Sequence, residues 1–139
     1  MTKSTITSRK RVTDHGEVFT SEREVNAMLD LVKQETERID SRFLEPACGD
    51  GNFLSEILNR KLAIVEGRYS KSQKELDKYS LVAITSIYGV ELLEDNVERC
   101  RERLFDIYLE WYNSVSQEQQ SGHGVNFQEK RLNRFYWRN

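Results

Sequence analysis

A helix-rich α/β fold, with parallel strands flanked by helices, is what this 139-residue sequence predicts, and three observations carry that expectation. A short extended run, Arg42-Phe43-Leu44-Glu45, stops at Pro46 and passes through the turn Ala47-Cys48-Gly49-Asp50-Gly51 into a helical pattern. A second run, Ile87-Tyr88-Gly89-Val90-Glu91-Leu92, arrives after further helical spacing and ends near an acid. Val97, Cys100, Leu104, Ile107, Tyr108 and Trp111 then form the clearest amphipathic stripe of the chain. Strand alternating with helix implies parallel strands joined by crossovers, hence an open α/β sheet.

Taken in order, residues 1–14 are polar and aperiodic and read as a flexible basic arm holding Lys3, Arg9, Lys10 and Arg11. Val25, Met28, Leu29 and Val32 recur at helical spacing, and Ser21 with Glu24 makes a capping box, so a helix is expected over 21–38. Asp40 and Ser41 break it, and the run ending at Pro46 is a brief strand, because the residue before a proline is pushed to extended geometry. Phe53, Ile57, Leu58, Leu62 and Val65 follow as a helix, and Gly67 to Lys74 reads as a surface loop. Leu76, Tyr79, Ala83 and Ile87 step by three and four, which favours a helix over 73–86. The helix over 94–112 opens with Glu94 and Asp95, where the helix dipole favours acids. Residues 113–125 read as a polar linker, and 126–139 as a further helix cut off at Asn139, with Phe135, Tyr136 and Trp137 still to be buried.

Composition narrows the function classes. Charged residues make up 32% of the chain, above the roughly 25% of an average domain. The net charge of −2 lacks the basic excess of a self-sufficient nucleic-acid binder, although the end mixes Lys130, Arg131, Arg134 and Arg138 with aromatics. Basic side chains among aromatics suit phosphates and stacked bases, yet a basic tail and one polar helix face are the commoner origin of such a run and the preferred reading. No long apolar run and no signal-peptide pattern appear, so membrane spanning and export are not expected and a cytoplasmic setting is. Cys48 and Cys100 then read as reduced thiols, Cys48 as a small packing residue rather than a nucleophile, because no histidine stands near it. His15 and His123 share no metal-ligand spacing with the cysteines, and no metal site is expected.

The segment richest in chemistry is Phe43-Leu44-Glu45-Pro46-Ala47-Cys48-Gly49-Asp50-Gly51-Asn52-Phe53. Its two glycines let the backbone turn tightly and approach a ligand, the following helix offers free amides, and Glu45 stands at the carboxyl end of a strand, where open α/β sheets bind ligands. Glu45-Pro46-Ala47-Cys48-Gly49-Asp50-Gly51-Asn52-Phe53 resembles the cofactor-binding motif of S-adenosylmethionine-dependent N6-adenine DNA methyltransferases, at every position of that motif. Upstream, Gly16-Glu17-Val18-Phe19-Thr20-Ser21 is similar to the family's segment around a Thr-Pro pair; downstream, Ile87 to Leu92 is similar to its second strand. The likeness covers roughly residues 15–105, and it implies an incomplete Rossmann-like methyltransferase fold with a partial cofactor-binding domain over 15–112.

Carried over position by position, the resemblance implies that Phe19 and Thr20 lie by the methionyl carboxylate. The backbone from Pro46 and Ala47 through Cys48 and Gly49 to Gly51, with Phe53, would lie under the methionyl and ribose parts. Glu45 would accept hydrogen bonds from the ammonium group and Glu91 from the ribose hydroxyls, with Leu92 beside the adenine. Two departures stand out. Thr20-Ser21 replaces Thr-Pro, exchanging a helix-starting proline for a capping serine. The interval from Glu45 to Glu91 far exceeds the roughly 20 residues of a minimal dinucleotide unit, so the crossover must hold an extra helix. Read without the family, Glu91 is a strand-end acid capping the next helix.

The family transfers its methyl group at an Asn/Asp-Pro-Pro-aromatic motif, which holds the amino group of a flipped adenine. With one proline, Pro46, this sequence contains no such motif, nor a third strand. The expectation is therefore the cofactor-binding fragment of an N6-adenine DNA methyltransferase of restriction-modification type, inactive alone, with DNA as the partner of the full-length enzyme. Two short strands bury little, so an exposed sheet edge is expected, covered by the missing catalytic region, a partner subunit or self-association. The alternatives are a fragment acting on RNA or on a protein amide nitrogen, and a non-catalytic binding or assembly protein with a degenerate methyltransferase fold.

Overall fold

The computed structural model describes residues 9–120, with side chains described through 116. Helix α1 (Arg9–His15) is followed by α2 (Glu22–Asp30), α3 (Lys33–Thr36), strand β1 (Phe43–Glu45), α4 (Asn52–Tyr69), α5 (Gln73–Thr85), strand β2 (Ile87–Gly89) and α6 (Glu94–Gln120). The fold is helix-rich and α/β in kind, with β1 and β2 parallel and in the register Phe43 with Ile87, Leu44 with Tyr88 and Glu45 with Gly89. The long interval between the strands holds two helices, α4 and α5.

Helix α4 is the centre of the molecule, touching α2, α3, α5, α6 and β2. Leu54, Ile57, Leu58, Leu62 and Val65 are all buried, which is why this helix is apolar round much of its circumference. The sheet is covered on one face only. Ile87 is buried and Phe43 partly so, whereas the next pair, Leu44 and Tyr88, points to the opposite face and stays 65% and 48% exposed. Met28, Leu31 and Val32 add further exposed apolar surface. No helix among the described residues is long and apolar enough to cross a membrane.

Lys61 of α4 is wholly buried and binds two separate pieces of chain. Its ammonium donates to the carbonyl of Ile39 at 3.1 Å, to the carbonyl of Ser41 and to the hydroxyl of Ser86, and it stands 5.2 Å from the centre of the Phe43 ring. Burial pulls its pKa down to about 8. The starts of β1 and β2 are thereby fixed to the central helix.

Several boundaries differ from the sequence expectation, each for a tertiary reason. The expected flexible arm over 1–14 is helical from Arg9, because Arg11 pairs with Glu17 and with Asp95 of α6; residues 1–8 lie outside the described residues. The single helix expected over 21–38 divides at Leu31 and Val32, and the bend buries Thr36 and Ile39 while leaving Leu31 in solvent. Of the loop expected over Gly67 to Lys74 only Ser70 to Ser72 lies outside a helix: α4 runs on to Tyr69, which stacks on Tyr79 of α5 at 4.0 Å between ring centres, and α5 starts at Gln73. The second strand, expected over Ile87–Leu92, ends at Gly89.

The polar linker expected over 113–125 is helical as far as Gln120. Tyr108, Tyr112 and Val115 are buried at spacings of four and three, and the Tyr112 hydroxyl donates to Asp77 of α5 at 2.8 Å. Asn113 and Ser114 are merely the outer face of α6. Residues 121–125 and the helix expected over 126–139, with its basic and aromatic residues, lie outside the described residues.

Candidate functional site

Beyond β1 the chain needs a tight turn, and glycine supplies it. Gly49 and Gly51 have φ of 54° and 90°, the left-handed region that side chains rarely adopt. The Gly51 amide donates to the Cys48 carbonyl at 2.9 Å and closes the turn, after which α4 starts at Asn52. Neither glycine has room for a methyl group: a Cβ at Gly49 would stand 3.0 Å from the Phe19 ring, and one at Gly51 2.7 Å from the Cys100 sulfur.

Hydrogen bonding between the two stretches of chain continues past the strands. Val90 donates to the Glu45 carbonyl at 2.9 Å, and Cys48 donates to the Val90 carbonyl at 3.1 Å. Glu91 therefore lands beside the turn, where one carboxylate oxygen accepts from the Gly49 amide at 2.8 Å and the other from the Leu93 amide at 2.9 Å.

A cavity of about 540 Å³ opens above this turn. Phe19, Thr20, Glu45, Pro46, Ala47, Cys48, Gly49, Phe53, Glu91 and Leu92 all line it. Gly51 does not; it sits behind the turn against Cys100. Leu92 lies at the rim, 84% exposed.

Residues that the motif leaves unspecified complete the walls. Asn52 donates to the Thr20 carbonyl at 2.9 Å and accepts from Arg103 of α6 at 2.6 Å, so it sets the Thr20 segment against the start of α4. The segment from Asp14 to Val18 forms the opposite wall, and a cluster of charges holds it. Arg11 binds Glu17 and Asp95, while the Asn96 amide donates to Glu17 at 2.6 Å. Arg11 holds both the Glu17 and Asp95 carboxyls below the usual carboxylate range. The spacing of these residues gives no periodic signal, and only the surplus of basic residues before Gly16 hinted at a role.

The site is acidic in character. Glu45 and Glu91 face the same cavity, and burial raises the Glu45 pKa, partly offset by the Ala47 amide. A raised carboxyl pKa marks a charge short of partners, which a cationic group on a ligand would supply. Each Glu91 oxygen keeps a second lone pair after accepting its amide, enough for a vicinal diol. The donor and acceptor set and a volume within the usual small-molecule range fit S-adenosylmethionine, which carries an ammonium, a sulfonium and a ribose diol. Phosphate groups would meet two carboxylates here and are disfavoured.

Among the described residues no group of acidic, histidine or cysteine side chains could hold a metal ion. No protein-family model, curated protein or solved structure matches the chain.

Proposed function

We propose that this chain is the S-adenosylmethionine-binding part of an N6-adenine-specific DNA methyltransferase of restriction-modification type, whose adenine-holding Asn/Asp-Pro-Pro motif is supplied by sequence other than these 139 residues. What supports the reading is convergence. Three stretches far apart in sequence, Phe19-Thr20, Glu45 to Gly49 and Glu91-Leu92, were singled out by one motif logic and line one cavity. Glu45 pairs with the methionyl ammonium, Thr20 with the carboxylate, Glu91 with the ribose hydroxyls, and Leu92 flanks the adenine. The bound cofactor supplies an electrophilic methyl group; this chain's residues hold and orient it.

Calorimetry with S-adenosylmethionine on the purified chain tests this directly. Binding heat is expected from the parent protein, with affinity about 10- to 100-fold weaker in Glu45→Ala and in Glu91→Ala, since a hydrogen bond to a charged group contributes about 1.5–3 kcal/mol. Methyl transfer to DNA by this chain alone is not expected.

The two amide bonds that occupy Glu91 favour a second reading, a non-catalytic assembly protein in which this acid only clamps the turn. On that reading no cofactor heat appears with the parent or with Glu45→Ala, while Glu91→Ala still lowers the melting temperature.

A further inference from the structure

Ahead of Phe19 the described chain buries nothing. Helix α1 has no buried residue, Val18 is 60% exposed, and the first buried side chain is that of Val25. A seven-residue helix is too short to persist in water on its own, so contacts from outside it must hold α1 in place. The bonds that do so are charged. The Arg11 guanidinium binds the Glu17 carboxylate and both oxygens of Asp95, the latter at 2.8 and 3.1 Å, and Glu17 in turn accepts from the Asn96 amide. Asp95 also takes Arg99, one turn further along α6. Asp95 and Asn96 both stand in the first turn of α6, so one spot on the body receives both bonds. The other end of the segment is anchored by packing and a backbone group. The Phe19 ring lies against Gly49, and the Thr20 carbonyl accepts from Asn52 at 2.9 Å. Between latch and anchor stand exposed Val18 and Gly16, the latter at φ 64° with open space where a Cβ would be.

From this arrangement we infer that residues 9–18 are a hinged strap: they swing as a unit ahead of Phe19 and open one side of the cavity when the Arg11–Asp95 and Glu17–Asn96 latch on α6 is released. Asp14, His15 and Glu17 leave the wall with the strap, while Glu45 and Glu91 stay on the body. Local opening of this kind belongs to segments with few buried contacts, and hinges sit at the residues that end an element. Charge sets the sense of control. The Arg11 and Asp95 side chains are both partly exposed, so salt reaches their bond. The screening length falls from about 10 Å at 0.1 M salt to about 3 Å at 1 M, and an ion pair in contact with solvent weakens accordingly. Burial of apolar surface, which holds the rest of the domain, is not screened in this way. Access to the cavity therefore answers to ionic strength while the body keeps its fold. The strap stands independently of which ligand the cavity takes.

The test is hydrogen–deuterium exchange of the intact 139-residue chain, read on peptides by mass at about 0.05 M and about 1 M sodium chloride. The reporting amides run from Thr13 to Glu17, of which Gly16 bonds the Val12 carbonyl and Glu17 that of Arg11. At low salt they are expected to exchange more slowly than an unstructured peptide of the same sequence. At high salt they speed up about 3- to 10-fold, while peptides from α4 hold constant. Asp95→Asn brings the fast rate at low salt and removes most of the salt response. Glu94→Gln takes a neighbouring acid from the same turn without touching the Arg11 pair, and keeps the parent's rates. In Asp95→Asn at low salt, hydroxyl-radical oxidation of Phe19, which lines the cavity, rises together with exchange. Full exchange of the reporting amides already at low salt overturns the strap, as does protection that salt or Asp95→Asn leaves unchanged. Equally faster exchange in α4 marks loosening of the whole domain and overturns the hinge. Faster exchange without added oxidation of Phe19 overturns the opening of the cavity. The salt comparison uses the parent chain, so it does not depend on either variant folding.

Discussion

Burial raises the proton affinity of the Glu45 carboxyl, and that gives the proposed ligand a pH signature. Pairing with an ammonium needs the ionised form, so S-adenosylmethionine affinity falls on acidification, beginning above the ordinary glutamate value of about 4.3. Calorimetry across that range checks it, and Glu45→Gln removes the dependence. Lys61 titrates in the opposite region. Its folded pKa of about 8 lies below the unfolded 10.5, so between these values the unfolded chain holds a proton that the folded chain has released. Stability therefore rises with pH across that window, by up to about 1.4 kcal/mol per unit, and is flat in this group below it. Lys61→Met abolishes the slope; it also leaves the Ile39 and Ser41 carbonyls without their donor, at a cost of about 1–3 kcal/mol. Denaturant melts at pH 7 and pH 9.5 separate the two effects. Neither environment is written in local sequence: Lys61 sits in an unbroken helical pattern like any surface lysine, and its burial follows from where α3 ends and β1 and β2 begin.

Elements were legible where periodicity and punctuation agree. The capping box at Ser21, the glycine turn before α4 and the step pattern of α5 each mark a boundary that the folded chain respects to within a residue or two. The misread segments are those settled by distant partners. Asn113 to Gln120 looks like a linker because its solvent face is polar, while Tyr112 and Val115 already extended the 104–108–111 stripe and were the available signal. Val115→Asp is thus expected to destabilise the protein by about 2–4 kcal/mol, whereas Ser114→Asp, one position away on the outer face, stays within about 0.5 kcal/mol. Alternation in the strands is just as local: Leu44→Lys should be nearly neutral in a melt of this chain, and Ile87→Ala should cost about 2–4 kcal/mol.

At the scale of the whole molecule, the cavity is a product of long-range contacts. The ten lining residues singled out in the sequence were readable because they fall in three short stretches, each with a recognisable turn or strand-end pattern. Their supports, Asn52, Arg103, Arg11 and Asn96, were not, because they hold the site through side chains with no patterned spacing. Arg11→Ala is expected to free the wall from Asp14 to Val18, weakening binding of the proposed cofactor several-fold by calorimetry while removing from the circular dichroism no more helix than the single short α1 supplies.

The pairs that close this cavity also fix the order of events in refolding. Arg11 and Asp95 are 84 positions apart, and Glu17 and Asn96 are 79 apart, while α4 and α5 are neighbours joined by a short turn. Closing long loops is slow relative to forming local helix pairs, so a refolding chain regains its helical hairpin first and its cavity last. Ligand added at the start of refolding is therefore expected to leave the early gain of helical signal unchanged and to act only on the closing of the cavity, which stopped-flow circular dichroism would check.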